Sequence, residues 1–268
     1  MTSNLFFVIG PLRTGSSLMS RCLDDHPQAI CLCESEINRA LVHDYFVMLH
    51  FNRMRQHGLV PRDVIRLLDH RKQDDIHAVM SWYDDSQERF AELYQKPRIQ
   101  AFGDKSPDFF RSPQLVNHLA ERYRLIYTVR DPRAIFWSIA AQTEPTDEEK
   151  RQRWKNLTRN FLAWEPWLDR ENILPVRYED LIRSPETTME SVYTHVGLPA
   201  SQRFREPFER LFPKRFLWQT TIDWESGIRR EFDAARIDHW KGHLSADDLS
   251  RIQSNEHVAR FMQRFDYS

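Results

Sequence analysis

The chain has 268 residues, 41% hydrophobic and 29% charged, which suits one large α/β domain with a packed core and a polar surface. Its 38 basic and 39 acidic side chains leave a formal net charge of −1, which excludes the global positive field that would recruit nucleic acid. The three cysteines, Cys22, Cys31 and Cys33, make neither a disulfide framework nor a convincing zinc pattern, and read as small buried hydrophobes.

The run Leu5-Phe6-Phe7-Val8-Ile9 reads as a fully buried parallel strand. It is too short, and lacks the basic flank, for a secretory signal. No stretch reaches membrane-span length, so the expected location is cytoplasmic, with no membrane partner. Residues 10–15 follow as a loop, 16–25 as a helix and 29–32 as a short strand. A helical pattern fills residues 37 to about 94, with Leu41, Tyr45, Met48 and Leu49 at helical spacing and Pro61 opening a new segment. Residues 99–102 read as a strand and 115–122 as a helix. Leu125-Ile126-Tyr127-Thr128-Val129 is the second clear buried strand, and it runs into the polar loop Arg130-Asp131-Pro132. Helices are expected over 134–142 and 148–168, and a strand over 173–177. Ser184 caps a further helix with Pro185 in its first position, and Ser245-Ala246-Asp247-Asp248 opens a last one.

Strands separated by helices predict a single α/β domain of P-loop type over residues 1–268, with a central parallel sheet flanked by helices. Residues 36 to 98 read as a helical insertion over the active site. Ligands of such sheets bind beyond the carboxyl ends of the strands.

Gly10-Pro11-Leu12-Arg13-Thr14-Gly15-Ser16-Ser17 lies at such an end, between a strand and a helix, with the glycine spacing of a P-loop. Backbone N–H groups of this loop and the helix N-terminus make an anion cradle. Ser16, however, stands where a kinase keeps the lysine that clamps the β/γ-phosphates. A donor with a single 5′-phosphate needs less: Arg13 supplies charge, and Ser16 and Ser17 supply hydroxyls. At the second loop, Arg130 at a strand end and Ser138 on the following helix are placed to clasp one phosphate.

Together these elements resemble the sulfotransferases that use 3′-phosphoadenylyl sulfate (PAPS). The family's 5′-phosphosulfate loop is similar to residues 11–18, and its 3′-phosphate element to residues 130–138. Asp104-Lys105-Ser106-Pro107, Val176-Arg177-Tyr178-Glu179-Asp180-Leu181 and Arg236-Ile237-Asp238-His239-Trp240-Lys241 match smaller motifs, the last being a late loop that closes over the nucleotide. Residues 18–34 most resemble tyrosylprotein sulfotransferases and their bacterial relatives, in which a glutamate at the place of Glu34 is the base. Leu32, Cys33 and Glu36 depart from that group, which has glycine, glutamate and arginine there.

The resemblance implies donor PAPS, product adenosine 3′,5′-bisphosphate (PAP), an acceptor hydroxyl of unread class, and no required metal. It makes Glu34 the candidate base, with His43 and His26 as alternatives. Lys105 and Arg13 are the candidates for charge stabilisation at the transferring group. Thr14, Gly15, Ser16, Ser17, Arg130, Ser138 and Arg236 join Arg13 in nucleotide binding. Tyr178 reads either as a nucleotide contact or as a core tyrosine, and Trp240 as a stacking partner near the adenine. Tyr45, Phe46, His50, Phe51, Trp82 and Tyr83 are candidate lining for the acceptor pocket. Three rivals stay open: a kinase-like P-loop protein, a non-catalytic nucleotide-binding module, and an interaction protein that merely keeps the fold.

Overall fold

A computed structural model of the chain describes residues 4–35, 76–140, 146–199 and 232–267. The apolar runs form β1 (Asn4–Ile9), β2 (Ala29–Cys33), β3 (Ala101–Lys105), β4 (Arg124–Val129) and β5 (Ile173–Arg177). They make one five-stranded sheet in the order β2-β3-β1-β4-β5, parallel throughout. Pro175, which has no N–H for a ladder, is exposed on β5 at the sheet's edge, where a missing donor is tolerated.

Side chains alternate across the pleat and feed two cores. Phe7, Ile9, Phe102 and Tyr127 pack beneath α2 (Ile76–Leu93), α3 (Pro113–Arg122) and α5 (Asp147–Trp164). Phe6, Val8, Cys31 and Ile126 face the other way, against α1 (Ser16–Asp25) and α7 (Pro185–His195). Helices α4 (Pro132–Ala140), α6 (Tyr178–Arg183), α8 (Ala246–Ser254) and α9 (Glu256–Arg264) complete the described set. The result is the expected α/β domain, with a parallel sheet between helical layers. No helix among the described residues is long and apolar enough to cross a membrane.

Several boundaries move. β3 runs over 101–105 rather than 99–102, because ladder pairing to both β1 and β2 carries Asp104 and Lys105 into the sheet. Their charge hides the strand from any apolar pattern. α5 begins earlier, under a capping box of Thr146 and Glu149. It gives way after Trp164 to a 3₁₀ turn that contains Pro166. Ser184 sits at the N-cap position of α7, but its side chain makes no capping bond. α6 and α9 were not expected; Asn255 caps α9 by accepting from His257 N and Val258 N. Within the stretch read as a helical insertion, residues 76–93 form α2. Residues 36–75, with His43, Tyr45, Phe46, His50 and Phe51, lie outside the described residues. Trp82 and Tyr83, expected to line a pocket, are instead buried in the core under the sheet.

Candidate active site

All five strands deliver a candidate residue at their carboxyl ends: Gly10 to Gly15 after β1, Glu34 after β2, Lys105 at the end of β3, Arg130 after β4 and Tyr178 after β5. The convergence follows from parallel pairing, which brings the five ends to one edge of the sheet.

The first loop is built on glycine. Gly10 has φ 128°, and a Cβ there would meet Thr128 O at 2.6 Å; Gly15 has φ 84°, and a Cβ would meet the Tyr178 ring at 2.5 Å. Thr14 turns its hydroxyl inward, to Pro11 O at 2.8 Å and Thr128 Oγ1 at 2.7 Å, and so secures the loop to β4. Gly15 is the N-cap of α1 and has no side chain to occupy the first N–H groups; no acidic residue stands in that first turn, which opens with Ser16 and Ser17. Arg13 sits in the left-handed region at φ 69°.

Arg130 knits the second loop to the first and to the C-terminal segment. Its Nη1 donates to Arg13 O at 3.2 Å and its Nη2 to Arg236 O at 2.9 Å, while its guanidinium lies 4.3 Å from the Tyr178 ring centre. Arg13 Nε donates to Ser138 Oγ at 3.0 Å. Behind the loop, Glu179 accepts from Asp131 N at 3.1 Å and from the Tyr267 hydroxyl at 2.7 Å. Trp240 is only 9% exposed and lies under the Arg133 guanidinium, 4.3 Å from its ring centre, so one face of the indole is already covered.

Glu34 and Lys105 meet at the carboxyl edge of β2 and β3. Lys105 Nζ lies 2.5 Å from Glu34 Oε1, and the lysine side chain is 2% exposed against 24% for the glutamate. Burial pulls this lysine down, but the adjoining Cys33 and Glu34 outweigh it and hold the ammonium above its ordinary range. The Glu34 carboxylate is partly exposed and ion-paired. Lys105 does not pair with its neighbour Asp104, which points to the opposite face of the sheet. Glu34 itself adopts φ 59°, a second left-handed site residue. His26 closes α1 as its C-cap residue and packs its ring against Tyr193 at a tilt of 56°.

Two observations test the loops for an anionic nucleotide. The Nε of Arg130 is buried and makes no hydrogen bond. The N-terminus of α1 presents its donors without a side-chain cap. Both suit an incoming phosphate group. Among the described residues, no three His, Cys, Asp or Glu side chains gather as metal ligands would.

The family model described as "Sulfotransferase family" matches residues 6–202, well over half of the chain. The chain belongs to the sulfotransferase family. As a sulfotransferase it is an enzyme that moves a sulfuryl group from PAPS to an acceptor hydroxyl, releasing PAP. Solved sulfotransferases share the fold. The sulfotransferase domain of the Synechococcus PCC 7002 olefin synthase has a TM-score of 0.67 at 19% identity, over 100% of this chain and 96% of that one. The sulfotransferase domain from the curacin biosynthetic pathway has a TM-score of 0.63 at 17% identity, over 99% and 98%. A mouse sulfotransferase complexed with PAP has a TM-score of 0.52 at 12% identity, over 98% and 86%. No curated protein matches the sequence. The family match is to sulfotransferases at large and does not single out the tyrosylprotein branch.

Several residues of the site were missed by sequence reasoning. Asp104 and Glu179 lay inside motifs already noted, beside the residues singled out. Asn160 and Tyr267 carried no signal: one is mid-helix, the other near the C-terminus, and each acts only through distant backbone or side-chain partners.

Proposed function

We propose that Glu34 is the general base and Lys105 the charge-stabilising group of this sulfotransferase. The observation that carries the reading is the Glu34–Lys105 contact of 2.5 Å at the carboxyl edge of β2 and β3. Glu34 takes the proton of the acceptor hydroxyl as its oxygen attacks sulfur. Lys105, kept protonated, meets the charge that collects on the phosphate oxygen as the sulfur–oxygen bond breaks. Arg13, Gly15, Ser16, Ser17 and the α1 N-terminus hold the 5′-phosphosulfate. Arg130 and Ser138 hold the 3′-phosphate, with Arg236 and Trp240 closing that side and Tyr178 supporting Arg130. Thr14 serves through the shape of the loop. The acceptor approaches over Glu34, the more exposed member of the pair. The cytoplasm suits the free thiols of Cys22, Cys31 and Cys33.

Glu34→Gln tests the assignment, because it keeps shape and removes the proton acceptor. Turnover should fall about 10²- to 10⁴-fold, most for acceptors of high hydroxyl pKa, while PAP binding measured by calorimetry stays at the parental value. Near-parental turnover on an aliphatic alcohol would remove Glu34 from the base role.

A further inference from the structure

The motif Asp104-Lys105 contributes two consecutive charged residues at the end of β3, and strand alternation sends them to opposite faces. Lys105 reaches Glu34. Asp104 is 0% exposed and is bonded from two elements. Its Oδ1 accepts from the backbone N–H of Ser35 at 3.3 Å; its Oδ2 accepts from Ser35 Oγ at 2.5 Å and from the Tyr83 hydroxyl of α2 at 2.7 Å. One residue earlier, Glu34 N donates to Lys105 O at 2.7 Å. The backbone is therefore gripped on both sides of Glu34, at a residue whose φ of 59° the chain does not adopt without support.

We propose that Asp104, braced by Tyr83, is the positioning residue that sets the Glu34 carboxylate for proton transfer; this rests on the reading of Glu34 as base. A buried carboxylate is costly to leave uncompensated, and here three donors converge on it. One of the three comes from the peptide N–H that follows Glu34 and a second from the Ser35 side chain, so the carboxylate holds the residue next to Glu34. Acting from the opposite face of β3 to Lys105, Asp104 touches neither the nucleotide loops nor the ion pair directly. Its contribution is therefore to turnover, not to donor binding.

The test compares Asp104→Asn, Ser35→Ala and Tyr83→Phe with Glu34→Gln. Asparagine presents an amide where the carboxylate accepts from two hydroxyls, so Ser35 and Tyr83 must both turn. Asp104→Asn should lower kcat about 10- to 100-fold, the scale of a small misplacement of a catalytic group. PAP affinity and binding stoichiometry should stay parental, and the loss should deepen as acceptor pKa rises. Adding Asp104→Asn to Glu34→Gln should cost little more, since both remove one function. Ser35→Ala and Tyr83→Phe, each removing one hydroxyl from Asp104, should show smaller losses of the same kind, and they carry the test if Asp104→Asn does not fold. If Glu34→Gln is crippled while all three supporting variants turn over at the parental rate, Asp104 has no positioning role and Glu34 keeps its own. If their losses are equal for every acceptor and track a fall in PAP stoichiometry, the network is structural only, and the proposal fails. If Glu34→Gln itself is active, the base assignment falls and this proposal with it.

Discussion

Arg13 and Ser138, 125 residues apart in sequence, are joined by a hydrogen bond of 3.0 Å from the guanidinium Nε to the serine hydroxyl. In the proposed reading the first holds the 5′-phosphosulfate and the second the 3′-phosphate, so there the bond would link the two halves of the nucleotide site. The two should then act on the donor as a coupled pair. A double-mutant cycle with Arg13→Ala and Ser138→Ala, read by PAP calorimetry, should give a coupling of about 0.5–3 kcal/mol. Strict additivity would mean that the two bind the nucleotide independently.

Arg130 bridges Arg13 O and Arg236 O while its buried Nε makes no hydrogen bond. Arg130→Ala should raise the donor KM about 10- to 150-fold, the loss of a charge-assisted contact of roughly 1.5–3 kcal/mol. The turnover number should change much less. An unchanged donor KM in steady-state assays would contradict the 3′-phosphate assignment.

Asn160 on α5 is buried, and its amide nitrogen donates at 3.0 Å to both Gly10 O and Pro107 O. It thereby ties the phosphate loop to the segment after Lys105. Asn160→Leu should destabilise the fold by about 1–3 kcal/mol, because two buried carbonyls lose their donor. Urea unfolding measures this directly, and a shift within 0.5 kcal/mol, roughly the size of an ordinary surface substitution, would refute it.

Burial pushes Asp104 up to about 6, despite opposing bonds from Ser35 and Tyr83 and the neighbouring Lys105 charge. Folding then takes up a proton between the unfolded value near 4 and the folded value near 6. The Asp104 contribution is most favourable below pH 4 and is lost as pH rises through 6, by about 3 kcal/mol in total. Asp104→Asn has no such dependence. Urea unfolding of parent and variant should therefore show a stability difference that shifts toward the variant from pH 4.5 to pH 7. A difference that does not change with pH would show that Asp104 does not titrate in this window.

The sequence alone was sufficient for the sheet's inner strands, because β1 and β4 are buried on both faces and their apolar runs need no partner to be recognised. It was sufficient for the phosphate loop as well, since two glycines between a strand and a helix leave few other conformations. Local order also showed that Glu34, Lys105, Arg130 and Tyr178 follow or end strands.

What it did not determine is which of these meet. β3 was misplaced because Asp104 and Lys105 join the ladder only through neighbours on both sides. The Lys105–Glu34 pair spans 71 residues and the Arg13–Ser138 bond 125. The Tyr267–Glu179–Asp131 chain closes from the far end of the described chain. Hydrogen bonds and ion pairs at such separations leave no periodicity behind. They exist only once parallel strands have packed side by side, since that packing brings five carboxyl ends, far apart along the chain, to one edge.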